Sequence, residues 1–211
     1  MADLFVVSAP SGAGKTTLIS ALIQSFNHIK LSISHTTRHK RPNETDGTDY
    51  HFVTQGEFDE LIKHDALLEY AQVFNHCYGT HQDNVKAALM NHYDVVLEID
   101  WQGYRQIKQR FQGAISIFIL PPSLQTLEER LIERGQDDTD TIKNRMTAAR
   151  NQIEHYDEYD YLIINRDFNV ALSELKSIVL SRRLRLKNQC FKEQSLIDSL
   201  LQCNGKKTEI L

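Results

Sequence analysis

Lys15 and Thr16 stand directly behind a turn built from Ser11, Gly12 and Gly14, and that spacing suits one chemistry, the gripping of a chain of phosphates. Glycines let the backbone turn tightly enough to aim successive N–H groups at one point. A helix opening at Lys15 would face the same point with its positive dipole end. Lys15 would then reach the β- and γ-phosphates, and Thr16 would offer its hydroxyl to a magnesium ion. Ser11, Gly12, Ala13, Gly14, Lys15, Thr16 and Thr17 are therefore the candidate residues for binding a nucleoside triphosphate. Ala9 holds the place where such loops usually begin with Gly, and alanine fits there if its φ is negative.

Further groups are candidates for charge and hydrogen-bond chemistry. Arg38, His39, Lys40 and Arg41 follow one another with no acid read beside them, which suits either an anion site or a solvated loop. Tyr50 and Tyr78 each carry a hydroxyl able to donate to a phosphate oxygen. Glu69, in LLEYAQVF, shares a strand face with Leu67, Ala71 and Val73, where a carboxylate is costly unless it accepts hydrogen bonds. Guanine offers a matching donor pair, N1–H and the exocyclic amine. The opposite face of that strand is equally apolar, so the pattern leaves open whether Glu69 points inward or to water.

Glu98 and Asp100, two apart on a strand, project from one face at its C-terminal end. Either could hold the waters of Mg²⁺ or orient an acceptor phosphate, with Asp100 the preferred one. Arg130 and Arg134 lie four apart in RLIERG and so share a helix face, while Arg145 sits on the next helix beyond Gly135. Their alternatives are i,i+4 pairs with Glu129 or Glu133.

The elements that must position these residues read as α/β. Leu4–Val7, Leu31–Ser34, Val95–Ile99, Ile115–Leu120 and Tyr161–Ile164 are apolar β-rich runs. Continuous runs such as ISIFIL predict a parallel sheet covered on both faces. Leu18, Leu22 and Phe26 give the helix after the loop an apolar stripe, and a helix is predicted over 170–187 with Leu172, Leu175, Val179 and Leu186 near one face. Two segments interrupt the alternation. The first, 35–83, holds Pro42, the turn pair Asp46-Gly47, a Tyr50–Val53 strand and a capping box from Thr54 to Glu57. The second, 124–150, is charged and split by Gly135-Gln136-Asp137-Asp138. The expected core is thus 1–34, 84–123 and 151–211, a doubly wound sheet with two inserted pieces.

Composition narrows the options. With 211 residues, 41% of them hydrophobic, the chain can bury a substantial core. A net charge of −4 argues against a general nucleic-acid binder. The basic stretch SRRLRLK is read as a helix packing Leu184 and Leu186 on the core with solvated basic neighbours. No charged-then-apolar leader and no span-length apolar run is read, so no membrane partner is expected and the compartment is the cytoplasm. Cys77, Cys190 and Cys203 are odd in number, lack metal-ligand spacing and are read as reduced thiols in a reducing compartment; His76, Cys77 and His81 sit close together, and ordinary side chains are expected there rather than a zinc site. The oligomeric state stays open, a homo-oligomer included.

HTTRHKRPNETDGTDYHFV followed by LLEYAQVFNHCYGT resembles the nucleoside-monophosphate-binding segment of guanylate kinases. VVLEIDWQG, SIFILPPS, RLIERGQD and YDYLIIN match further family blocks in order, so the resemblance runs from about Leu4 to Leu184, with the bacterial enzymes nearest. It implies the P-loop nucleoside-monophosphate-kinase fold, with 35–83 as GMP-binding segment and 124–150 as lid. The implied reaction is ATP + GMP → ADP + GDP, with Mg²⁺ as cofactor and dGMP as a second acceptor. By motif position, Ser34, Glu69 and Thr80 would read the guanine, with Asp100 beside them. Arg38, Arg41, Tyr50 and Tyr78 would hold the GMP phosphate. Arg130 would join the ATP site, and Arg134 and Arg145, with Lys15 and Arg38, would be catalytic. Glu98 stands where the family usually has Asp, and Asn165-Arg166-Asp167 where NDD is commoner. Two alternatives are a non-catalytic guanylate-kinase-like binding module, against which the intact Gly12, Gly14, Lys15 and Thr16 speak, and a kinase for another nucleoside monophosphate.

Overall fold

The computed structural model describes residues 2–73, 75–133 and 139–202. Strands β1 (Leu4–Ser8), β2 (Ile29–Leu31), β7 (Asp94–Glu98), β8 (Ile115–Leu120) and β9 (Tyr161–Ile164) form a wholly parallel sheet in the order β2-β7-β1-β8-β9. A smaller sheet, ordered β4-β3-β6-β5, comes from β3 (His35–Thr36), β4 (His51–Phe52), β5 (Leu67–Val73) and β6 (His76–His81). The expected α/β architecture, a parallel sheet with helices on both faces, is present.

Side-chain alternation explains the continuous apolar runs. Phe5 and Val7 of β1 enter one core with Ile117, Ile119 and Ile163. Over that face lie α1 (Lys15–Ser25), α5 (Leu124–Glu133), α6 (Thr139–Ile153) and α7 (Phe168–Arg183), through Leu18, Ile19 and Leu22, Leu127, Ala149, and Leu175 and Val179. Leu4 and Val6 point the other way, into a second core with Val85 of α3 (Gln82–Met90) and Tyr104 and Ile107 of α4 (Trp101–Arg110). Both faces of the sheet are therefore dry. Leu127 and Ala149 show that the inner parts of 124–150 are rooted in the first core.

Some boundaries differ from expectation, each for a local reason. The Leu31–Ser34 strand begins and ends earlier: β2 pairs with β7 from Ile29 to Leu31, and the chain then leaves for the small sheet, where His51 N–H donates to the Ser34 carbonyl. The Tyr50–Val53 strand shortens to β4. The Thr54–Glu57 capping box is present and opens α2 (Gln55–Lys63), with both reciprocal bonds made.

The helix expected to run to 187 stops at Arg183. Asn188 and Gln189, in the next helix α8 (Leu186–Lys192), donate side-chain N–H groups to the carbonyls of Arg182 and Arg183 and so satisfy the open end of α7. The reading of SRRLRLK is reversed. Leu184 and Leu186 are 66% and 80% exposed. Arg182 instead pairs with Asp3 at 3.1 Å and Arg183 with Asp94 at 2.8 Å, tying the end of α7 to β1 and β7. A final helix, α9, spans Gln194–Gln202. Among the described residues, no helix is long and apolar enough to cross a membrane.

Candidate active site

Because the large sheet is all parallel, the C-terminal ends of β1, β7, β8 and β9 meet at one edge, the place where open α/β sheets bind ligands. The glycine-rich turn leaves central β1 there. Gly12 and Gly14 have φ of +94° and +91°, which only glycine adopts without strain, while Ala9 is not among the residues of positive φ. Gly14 is the N-cap of α1 and supplies no side-chain bond, so the first-turn N–H groups of α1 have no side-chain cap. Ser11 and Ala13 belong to the turn, and Thr17 is exposed on the first turn of α1.

Two residues from later elements hold this turn. Buried Asn165, just past β9, donates to the Ala13 carbonyl at 2.8 Å. Arg130 of α5 donates to the carbonyls of Ala13 at 3.5 Å and Asn165 at 3.3 Å, not to Glu129. A Cβ at position 14 would lie 2.5 Å from the Asn165 amide, a second reason for glycine. Asn165 escaped the sequence reading, where it was only part of an atypical block; its distance of some 150 positions from Ala13 carries no local signal.

Thr16 Oγ1 donates to Glu98 Oε1 at 2.6 Å, and Lys15 Nζ stands 3.9 Å from the same oxygen. Of the two carboxylates expected to hold the waters of Mg²⁺ or orient the acceptor phosphate, Glu98 is the one bonded to Thr16. Asp100 is the N-cap of α4: its Oδ1 accepts the N–H groups of Gln102 and Gly103, and its Oδ2 accepts the Gln102 amide. A hydroxyl and a carboxylate converging beside a lysine are hard oxygen donors of the kind Mg²⁺ takes, so Thr16 and Glu98 fit that ion.

The small sheet carries the other candidates. An irregularity in the β5–β6 pairing between Leu67 and Glu69 shifts the alternation, so that Glu69 and Ala71 turn inward while Tyr70 and Gln72 face solvent. Glu69 is 3% exposed, which settles the orientation that the pattern left open. Its Oε1 accepts the Thr80 hydroxyl at 2.6 Å, and Thr80 and Ser34 are themselves buried. Burial pushes the Glu69 carboxyl up to about 7, assisted by the negative charge of Asp100 and opposed by Thr80. Gly103 lies against the other oxygen: a Cβ there would fall on Glu69 Oε2.

Arg38 is not without an acid. Its Nη2 donates to Glu44 Oε1 at 2.6 Å and its Nη1 to the His39 carbonyl at 2.8 Å, while Glu44 Oε2 accepts the Arg41 N–H at 2.8 Å. The acid partner of the four-cation run is thus Glu44, three residues past Arg41. Tyr50 and Tyr78 are in edge contact at 5.9 Å, and the Arg38 guanidinium carbon lies 5.4 Å from the Tyr50 ring. Burial, with the nearby Glu98 charge, pushes the Tyr50 hydroxyl up to about 12, so it remains a donor. Arg145 is half-buried on α6, and Arg134 lies outside the described residues.

A glycine-rich turn on a central parallel strand, with lysine and threonine heading the next helix and a small sheet beside it from which Arg38 and Arg41 follow, defines the class of P-loop phosphotransferases. The family model described as guanylate kinase matches residues 1–182, so the chain belongs to the guanylate kinase family. The guanylate kinase of Saccharophagus degradans is 52% identical over 198 residues, covering 94% of this chain and 97% of that one. That of Nitrosococcus oceani is 52% identical over 200 residues, 95% and 98% of the two chains. The crystal structure of guanylate kinase from Anaplasma phagocytophilum matches with a TM-score of 0.74 and 30% identity over 88% of each chain.

Proposed function

We propose that the protein transfers the γ-phosphoryl group of ATP to the phosphate of GMP, giving ADP and GDP, with dGMP as a second acceptor. The observation that carries this reading is the buried Glu69–Thr80 pair, which provides an acceptor edge suited to guanine. Family membership and the P-loop geometry support the donor half.

Transfer joins two polyanions, and at ~4 Å two unit charges repel by about 4 kcal/mol at a surface-like dielectric. Lys15 and the α1 N-terminus take the donor phosphates, and Arg38, Arg41, Tyr50 and Tyr78 take the acceptor phosphate. Ser34 joins Glu69 and Thr80 around the base, and Asp100, fixed by its cap, sets the end of α4 beside them. Thr16 and Glu98 are the residues that would hold Mg²⁺, which when bound supplies charge neutralisation at the β- and γ-oxygens. Arg130 stays with the ATP site, bonded to the P-loop, and Arg134 and Arg145 close over the transferring group when the 124–150 segment acts as a lid. Catalysis is then mostly alignment and charge stabilisation, as a loose transition state requires. The reaction belongs to purine nucleotide metabolism in the cytoplasm, with neither nucleic acid nor membrane as partner.

The test is ADP release from Mg·ATP with GMP, AMP, UMP and CMP in parallel. Turnover with GMP alone is expected. Turnover with another monophosphate would keep the P-loop chemistry and overturn the guanine assignment. GMP binding without turnover would point to a non-catalytic binding module.

A further inference from the structure

We propose that Glu44 is a positioning residue for the acceptor phosphate, a role that rests on the guanylate kinase reading above. Its carboxylate is shared between the two arginines of the segment: one oxygen on the Arg38 guanidinium, the other on the Arg41 backbone N–H. The Glu44 N–H donates back to the Arg41 carbonyl at 3.1 Å, closing a turn over Pro42 and Asn43. Arg38 is then held from several sides, by Glu44, by the His39 carbonyl, and by the rings of Tyr50 and Phe52 at 5.4 and 5.7 Å. The side chains of Arg38 and Glu44 are 14% and 16% exposed, so the pair lies well inside the segment's surface.

Glu44 has two opposed effects on an incoming phosphate. It cancels part of the Arg38 charge, and it fixes the plane of the guanidinium. A bidentate phosphate contact needs the fork in one plane, and an unheld arginine must lose its rotamer freedom on binding. The cancelled charge matters less, because Glu44 bonds only the backbone N–H of Arg41 and leaves that guanidinium its own charge. Fixing the fork therefore dominates, and Glu44 favours phosphate binding although it is itself an anion.

The experiment is calorimetric titration of the wild type, Glu44→Gln and Glu44→Ala with GMP and with guanosine, alongside steady-state kinetics. Guanosine carries the base and sugar but no phosphate, so it reports on the base site of Ser34, Glu69 and Thr80 without the phosphate contacts. Both variants are expected to lose about tenfold in GMP affinity while guanosine affinity holds, with the KM for GMP rising more than kcat falls. Equal losses for both ligands would make Glu44 a purely structural residue, and tighter GMP binding would make it a competitor; either overturns the proposal. A wild type that binds neither ligand would instead sink the GMP reading itself, and this role with it.

Discussion

On the proposed function the protein would hold phosphate in two regions, and by different means. In the P-loop the work would fall to backbone: glycines at positive φ and a helix N-terminus, joined by one lysine. Around the small sheet it would fall to side chains, Arg38 and Arg41 after β3, Tyr50 before β4 and Tyr78 on β6. The P-loop is braced by distant residues, Asn165 and Arg130, that both bond its Ala13 carbonyl. The small-sheet site is braced by a neighbour in sequence, Glu44. A backbone cradle accepts any triphosphate of the right length, whereas a side-chain cradle beside a buried carboxylate can choose its base. The comparison predicts that substitutions in the first region act on rate and those in the second on selectivity.

The largest expected effect breaks the backbone region. Lys15→Ala should leave the thermal transition and circular dichroism unchanged and lower kcat by about 10³-fold, since a donor aimed at developing charge is lost. GMP binding, measured without ATP, should be untouched. Wild-type turnover in this variant would remove Lys15 from the reaction, and the P-loop would then be only a binding element.

The two regions also differ in how far the sequence reveals them. Ser11 to Thr17 form a local motif, so spacing alone predicts strand, turn and helix, and the fold agrees. Glu69 lies in a strand with apolar residues on both faces, and only the pairing irregularity beside Leu67 decides where it points. Asn165 and Gly103 act on partners far away in the chain, and nothing local marks them. Glu44 stands six residues from Arg38, a spacing that only the turn over Pro42 and Asn43 closes. The misplaced end of α7 has the same origin as these. Leucine spacing continues past Arg183, but Asp94 and Asp3 capture the arginines, and Asn188 and Gln189 the last carbonyls.

A smaller effect sharpens the selectivity side. Glu69→Gln should lower the preference for GMP over AMP by about 10²-fold, since one acceptor becomes a donor facing donors, while the KM for ATP holds. Proton linkage gives the same site a pH signature. In the free protein the carboxyl is raised from 4.5 to about 7, so below that pH it is protonated, and guanine must displace the proton to find two acceptors. GMP affinity should therefore fall as pH drops below about 7 and level off above it. The GMP phosphate itself titrates near about 6, but that loss is common to wild type and Glu69→Gln, so the difference between their profiles isolates Glu69. The sign for stability is the reverse. The folded state holds this proton more tightly, so the group's contribution is full below 4.5 and is lost as pH rises through about 7. Identical profiles in the two proteins would place the linked proton elsewhere.

The finest comparison separates the base site from the helix that backs it. Gly103 lies on α4, within the turn capped by Asp100, and an added Cβ would meet Glu69 Oε2, with Glu69 Cδ at 3.1 Å and Ile99 Cδ1 at 3.3 Å. Glu69 cannot stay where Thr80 holds it if that space is filled. On its helix alone, Gly103→Ala is favourable by roughly 0.8–1.0 kcal/mol, because alanine has less backbone entropy to lose. The two consequences have opposite signs and different readouts. The melting temperature should hold or change little, while kcat/KM for GMP falls about tenfold and the KM for ATP is unmoved. In the double variant with Glu69→Gln the losses should not add, since both act on one carboxylate. Additive losses would mean that α4 reaches the acceptor by a route other than Glu69, and an unaltered GMP preference in Gly103→Ala alone would mean that the base site tolerates a displaced carboxylate.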